Sequence, residues 1–248
     1  MSLDIGTVAI MVVAISLGAL VKGVTGSGLP QIAIPVMATF LGVEAAVVIM
    51  AIPGIVTNSW LVFQHRHQYS RTRDLPVLLG AGTVGAVTGT ILLESLNDDI
   101  LSLVMAGVIA GYAVIFLAHP SFRLEPRVTR FVSPPVGLAA GLLQGATGVS
   151  GPLLATYLHS YRLDKTVYIV SITTIFLVFS VVQSATLVGV GLYTTDLLVL
   201  SLLSLVPIMV MMRIGARFTD RVSRRTFDLI VLTLLLATAV KLVYDGLT

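Results

Sequence analysis

The chain has 248 residues, of which 56% are hydrophobic and only 11% charged, with a mean hydropathy of +1.00; no soluble domain of ordinary composition approaches this, so a polytopic membrane protein is expected. It contains no cysteine, which excludes disulfides, thiolate nucleophiles and thiolate-bound metal. Its net charge of +3 lies in short loops beside apolar runs and reads as a topology signal, not as a surface for nucleic acid.

The apolar runs, in chain order, cover 5–21, 32–41, 45–63, 75–93, 100–117, 136–143, 153–158, 167–190, 197–212 and 229–243. The first has no basic residue ahead of it and no cleavage site after it, so it is expected to stay in the mature fold rather than act as a signal peptide. Most of the runs are long enough to cross a hydrocarbon core of about 30 Å, but 32–41, 136–143 and 153–158 are too short. The short ones flank two glycine-rich breaks.

Thirteen of the fifteen lysines and arginines mark four loops: Arg66, Arg71 and Arg73; Arg123, Arg127 and Arg130; Arg162 and Lys165; and Arg213, Arg217, Arg221, Arg224 and Arg225. These loops are expected in the cytoplasm. The loops carrying Glu94, Asp98 and Asp99, or Tyr193 and Asp196, have no basic residue and are expected outside. Residues 131–161 must then enter and leave on the cytoplasmic face, and 4–42 on the opposite one. Full crossing by 5–21 is the alternative, giving seven or eight spans.

The two breaks are copies. At an offset of 122 residues Lys22 falls on Gln144, Gly23 on Gly145, Thr25 on Thr147, Gly26 on Gly148 and Pro30 on Pro152. A weaker match, chiefly a glycine, lays 89–101 over 215–227 at an offset of 126. The expected fold is therefore an all-α polytopic membrane protein with two inverted repeats, each a broken-helix or re-entrant hairpin followed by three transmembrane helices. The first repeat covers 1–118 (hairpin 4–42, spans 45–63, 75–93 and 100–117). A cytoplasmic linker, 119–130, leads to the second at 131–248 (hairpin 131–161, spans 166–190, 196–212 and 227–244).

Paired breaks in matching halves point to a transporter's binding site, because irregular backbone survives at membrane depth only in protein or around a water-filled cavity. Pro30 and Pro152 suit a first helical turn, and the amides there favour an anion. The expected binding residues are Thr25, Gly26, Ser27 and Gly28 at the first turn and Thr147, Gly148, Ser150 and Gly151 at the second. Lys22 and Gln144 precede the turns, and an intramembrane cation such as Lys22 marks a functional site by default. Gln31, Asn58 and Gln183 are expected to line the cavity, with Asn58 falling opposite Ser180 at the offset of 122. Against a site stand two commoner uses: glycines permit tight helix crossings, and amides bond neighbouring helices.

Nothing here reads as an enzyme. Residues 23–28 lack the ending of a nucleotide-binding loop, and there is no His-Glu-x-x-His or Gly-x-Ser-x-Gly. No cofactor or metal is expected, His65 and His67 lacking a third ligand. The energy source is then a gradient, with H+ or Na+ as coupling ion and Glu44, Glu94 and His159 as the candidate proton carriers.

The short first arm, the turn followed by Pro30 and Pro35, the basic loop after the third run, and the second copy with Gly141, Gly145, Gly148, Gly151 and Pro152 resemble the sulfite exporter TauE/SafE family over nearly the whole chain. Here Thr25-Gly26-Ser27-Gly28 and Thr147-Gly148-Val149-Ser150-Gly151 replace the consecutive glycines commonest in that family. The resemblance implies a secondary transporter moving sulfite or a small organosulfonate such as sulfoacetate across the bacterial inner membrane. The termini are expected on the periplasmic side, and a homodimer is a reasonable assembly. Another small organic anion, a passive anion channel and a membrane scaffold that moves no solute are the competing readings.

Overall fold

A computed structural model of the chain describes residues 5–67, 75–118, 126–161, 163–218, 235–244 and 246–247. Its regular elements are α-helices: α1 (Ile5–Thr25), α2 (Leu29–Leu41), α3 (Val43–His65), α4 (Leu75–Ser95), α5 (Asp98–Ala118), α6 (Pro126–Thr147), α7 (Gly151–His159), α8 (Lys165–Gly189), α9 (Thr195–Phe218) and α10 (Leu235–Tyr244). Helix is the form a membrane segment takes because it pairs every backbone amide within itself. Five helices, α1, α3, α4, α8 and α9, are long and apolar enough to cross a bilayer. The chain is a multi-pass, all-α membrane protein.

Helices outrun the apolar stretches that seed them. α1 continues through Lys22 to Thr25 and is about 31 Å long, enough to cross, whereas α2 is only about 20 Å. α6 begins at Pro126, inside the expected linker, because proline fits a first helical turn where its missing N–H is not needed. The expected span at 227–244 is described only over α10, and Arg71, Arg73, Arg123, Arg162, Arg221, Arg224 and Arg225 lie outside the described residues.

Two helix pairs form the broadest contacts, α4 with α6 and α1 with α9; α3 with α8, α4 with α8 and α3 with α9 complete the middle of the bundle. Glycine builds the first two pairs. A methyl group at Gly145 would strike the Ala86 carbonyl and crowd the Thr90 amide on α4, and one at Gly23 would strike Met212 and crowd Ala216 on α9. Likewise Gly89 lies against the Leu142 carbonyl and Gly215 against that of Leu20. Gly82, Gly85, Gly137 and Gly141 extend the α4–α6 seam. Backbone approaches backbone, and dispersion across that close contact holds helices together where lipid supplies no hydrophobic driving force.

Proline inside the helices leaves carbonyls to be satisfied. Pro53 in α3 has no N–H for the Ile49 carbonyl, and Ser201 on α9 donates its hydroxyl to that oxygen at 2.7 Å. Thr57 in turn donates to the Pro53 carbonyl at 2.7 Å. At the start of α3, Gly42 takes φ 82° and the Val43 amide donates to Asp98 Oδ1 at 3.1 Å, so the first residue of α5 caps α3. Lys241 on α10 donates to the Thr39 carbonyl at 2.8 Å, near the C-terminal end of α2, where positive charge is favoured.

Candidate functional site

The two breaks share four hydrogen bonds, and the first adds one, from the Thr25 hydroxyl to the Ser27 carbonyl at 2.7 Å. Gly26 (φ 78°) and Gly148 (φ 68°) leave their helices in the left-handed region. Their amides donate to the carbonyls of Lys22 and Gln144, each at 2.8 Å. Thr25 donates to the Val21 carbonyl at 3.1 Å and Thr147 to that of Leu143 at 2.8 Å. Each threonine oxygen also accepts an amide two residues on, from Ser27 at 3.2 Å and from Val149 at 3.3 Å. The next helices then open with Ile32 N–H to Gly28 and Leu154 N–H to Ser150, both 3.2 Å. A threonine can hold such a turn because its short hydroxyl reaches local backbone; a glycine follows because positive φ excludes most side chains.

The copies differ one step later. Gly28 takes φ 108°, while Ser150 at the matching cap position has φ −117°. The helices nevertheless start at matching residues, α2 at Leu29 and α7 at Gly151. Ser150 does not cap that helix; its hydroxyl donates to Gln144 Oε1 at 2.8 Å.

Between the breaks lies a cavity of about 20 Å3, room for about one water. Of the expected residues, Lys22, Asn58, Gln144, Gly148 and Gln183 line it, as do Leu29 and Pro30 at the first turn of α2. Ile34, Val47, Met50 and Phe176 form its apolar walls. Lys22 is only 1% exposed. Its ammonium donates to Asn58 Oδ1 at 2.5 Å and stands 5.7 Å from the Phe176 ring centroid, within reach of a cation–π contact. Among the described residues lining the cavity there is no carboxylate.

On the other side the polar groups bind one another. Gln144 Nε2 donates to Gln183 Oε1 at 3.2 Å, and Gln183 Nε2 donates to the carbonyls of Gln144 at 2.7 Å and Gly145 at 3.3 Å. Gln183 thereby satisfies the end of α6, whose last carbonyls have no intrahelical partner. Replacing Gln183 by leucine takes this donor from the Gly145 carbonyl and the acceptor from the Gln144 side-chain amide, while the Gln144 carbonyl keeps the Gly148 amide; a loss of roughly 1–3 kcal/mol is expected, measured as a lower midpoint of unfolding in detergent.

The remaining expected residues stand outside the cavity wall. Thr25, Gly26, Ser27, Gly28 and Thr147 shape the turns. Gln31 lays its side-chain amide on Gly151, where any Cβ would collide with it, so α2 touches the second break directly. Val149, Ser150, Pro152 and Leu153 face a separate apolar groove of about 350 Å3 beside Val104 and Gly107 of α5. Only α2 brings its first turn to the cavity wall. Glu44 lies near Glu94 and Asp98, and exposed His159 stacks on Tyr168 at 4.9 Å; none of these lines the cavity. Gly54 and Ser180 do, Gly54 lying against the Ser180 hydroxyl. Ser180 was legible as the copy of Asn58, and Gly54 by the same offset is the counterpart of Phe176. Among the described residues no group of three or more metal-ligating side chains is placed to hold an ion.

A bundle of apolar helices broken twice around a buried cation has the architecture of a polytopic membrane transporter. The family model for the sulfite exporter TauE/SafE matches residues 10–242, and the chain belongs to that family. No curated protein and no solved structure matches the chain.

Proposed function

We propose that the protein is a secondary transporter of a small sulfur-containing anion, an organosulfonate or sulfite, in the bacterial inner membrane. The observation that carries this reading is Lys22: a buried lysine with an amide partner and no carboxylate on its cavity wall. Burying an unneutralised cation costs several kcal/mol, a cost an entering anion offsets. The family points to the chemistry of that anion.

The halves act as inverted repeats, with residues 1–118 and 131–248 as the units and termini in the periplasm. The matching glycine contacts of Gly23 and Gly145, and the matching pairs α1–α9 and α4–α6, support that reading. At about 20 Å3 the cavity is too small for a sulfonate, so the bundle must open towards one face and then the other, which is alternating access. Lys22, Asn58, Gln144 and Gln183 meet the anion, and the threonine–glycine turns, with Ser27, Gln31, Ser150 and Gly151, hold the shape around it. H+ or Na+ is the coupling ion, and a homodimer is the assembly. Purified protein in liposomes is expected to take up methanesulfonate or sulfite saturably, and faster under an imposed gradient of the coupling ion. Absence of flux for every sulfur anion, with monodisperse protein, refutes the assignment.

A further inference from the structure

We propose that the cavity selects anions carrying one negative charge over those carrying two. The inference rests on reading the cavity as the anion site and concerns which sulfur anions that site accepts. Its walls hold one cation, Lys22, among the described residues. The duplication offers a second position for a cation, the place of Gln144, and an amide stands there instead. Both ends of that amide are engaged, Nε2 by Gln183 and Oε1 by Ser150. They are not free to turn towards a second charge. Helix ends do not make up the difference: the first turn of α2, Leu29 and Pro30, adds about half a positive charge at the wall, but the last turns of α1 and α6, which carry Lys22 and Gln144 there, set about half a negative charge each against it, and Pro152 of α7 faces the groove beside α5.

A single negative charge is therefore close to balanced at this site. A second one enters a narrow space with apolar walls of Ile34, Val47, Met50 and Phe176 without a counter-charge, and such burial costs several kcal/mol. Hydrogensulfite and simple alkanesulfonates fit; sulfate and sulfoacetate, with two charges, do not. The anion sits on the Lys22 side of the pseudo-twofold position, not on its centre.

Calorimetric titration of the whole purified protein with methanesulfonate and with sulfate, at one ionic strength, tests this, since the two share a tetrahedral sulfur and differ in a methyl group against a charged oxygen. Methanesulfonate is expected to bind at least about tenfold more tightly. The variant Gln144→Lys separates charge from apolar contact: a second cation is expected to move the ratio towards sulfate by about tenfold, whereas preference for the methyl group leaves it unmoved. Equal affinities in the native protein, or an unmoved ratio in a folded variant, overturn charge selection but leave the anion site standing. No binding of any anion overturns both.

Discussion

Lys22→Met is expected to lose anion binding by about 30- to 150-fold while the protein remains folded. A hydrogen bond between a buried charge and its partner contributes about 2–3 kcal/mol, and each 1.4 kcal/mol is a factor of ten. Stability follows a different balance. Methionine fills most of the lysine's volume and removes a cation that has no carboxylate beside it, a change that is often neutral or stabilising in buried sites. Against this, Asn58 Oδ1 loses its 2.5 Å partner, and an orphaned amide oxygen costs about 1–3 kcal/mol. The double variant Lys22→Met with Asn58→Leu removes both groups and is expected to unfold at a higher temperature than either single variant. Titration calorimetry and thermal unfolding in the same detergent read the two effects separately. Native affinity in Lys22→Met would place the anion elsewhere.

Gly145→Val is expected to be among the most damaging single changes in the chain. The added carbons meet the Ala86 carbonyl and the Thr90 amide on α4, which are backbone atoms and have no rotamer to yield. Overpacking of this kind costs about 1–3 kcal/mol even where side chains can shift, so a larger loss is expected here, seen as aggregation on extraction or a sharply lower unfolding midpoint. Gly107→Ala on α5 is the control. A Cβ there meets nothing within 4 Å, and alanine is favoured over glycine in a helix by up to about 1 kcal/mol. The same substitution class thus has opposite signs at two helical glycines.

The contrast between these glycines marks what the sequence carried and what it withheld. The paired breaks were legible because threonine, glycine and proline recur at fixed spacing, and each type has a local backbone preference. Gly26 and Gly148 accordingly adopt the same positive φ. Gly23, Gly141 and Gly145 belong to the same motif but serve helix contact; nothing in a glycine names the partner backbone, which is set by how distant helices cross. The pairing of Lys22 with Asn58, 36 residues away, is hidden for the same reason, as is Phe176 beneath the ammonium. Hydropathy also shortened α1 and α6, since polar Lys22, Arg130 and Ser133 interrupt an apolar count without interrupting a helix. The helices α3, α4 and α5 start and end within about two residues of the apolar runs 45–63, 75–93 and 100–117, because an uninterrupted apolar run needs no distant partner to define its helix.

The bond from Ser201 to the Ile49 carbonyl gives the bundle a mechanical property. Proline leaves α3 without one rung of its ladder at Pro53, a place where a helix bends most readily. The missing rung is filled from α9, in the other half of the chain. If α3 pivots alone, a carbonyl is stranded in hydrocarbon at a cost of several kcal/mol. Bending of α3 at Pro53 therefore carries that cost unless α9 moves with it, and the bond ties a weak point in one half of the chain to a helix in the other.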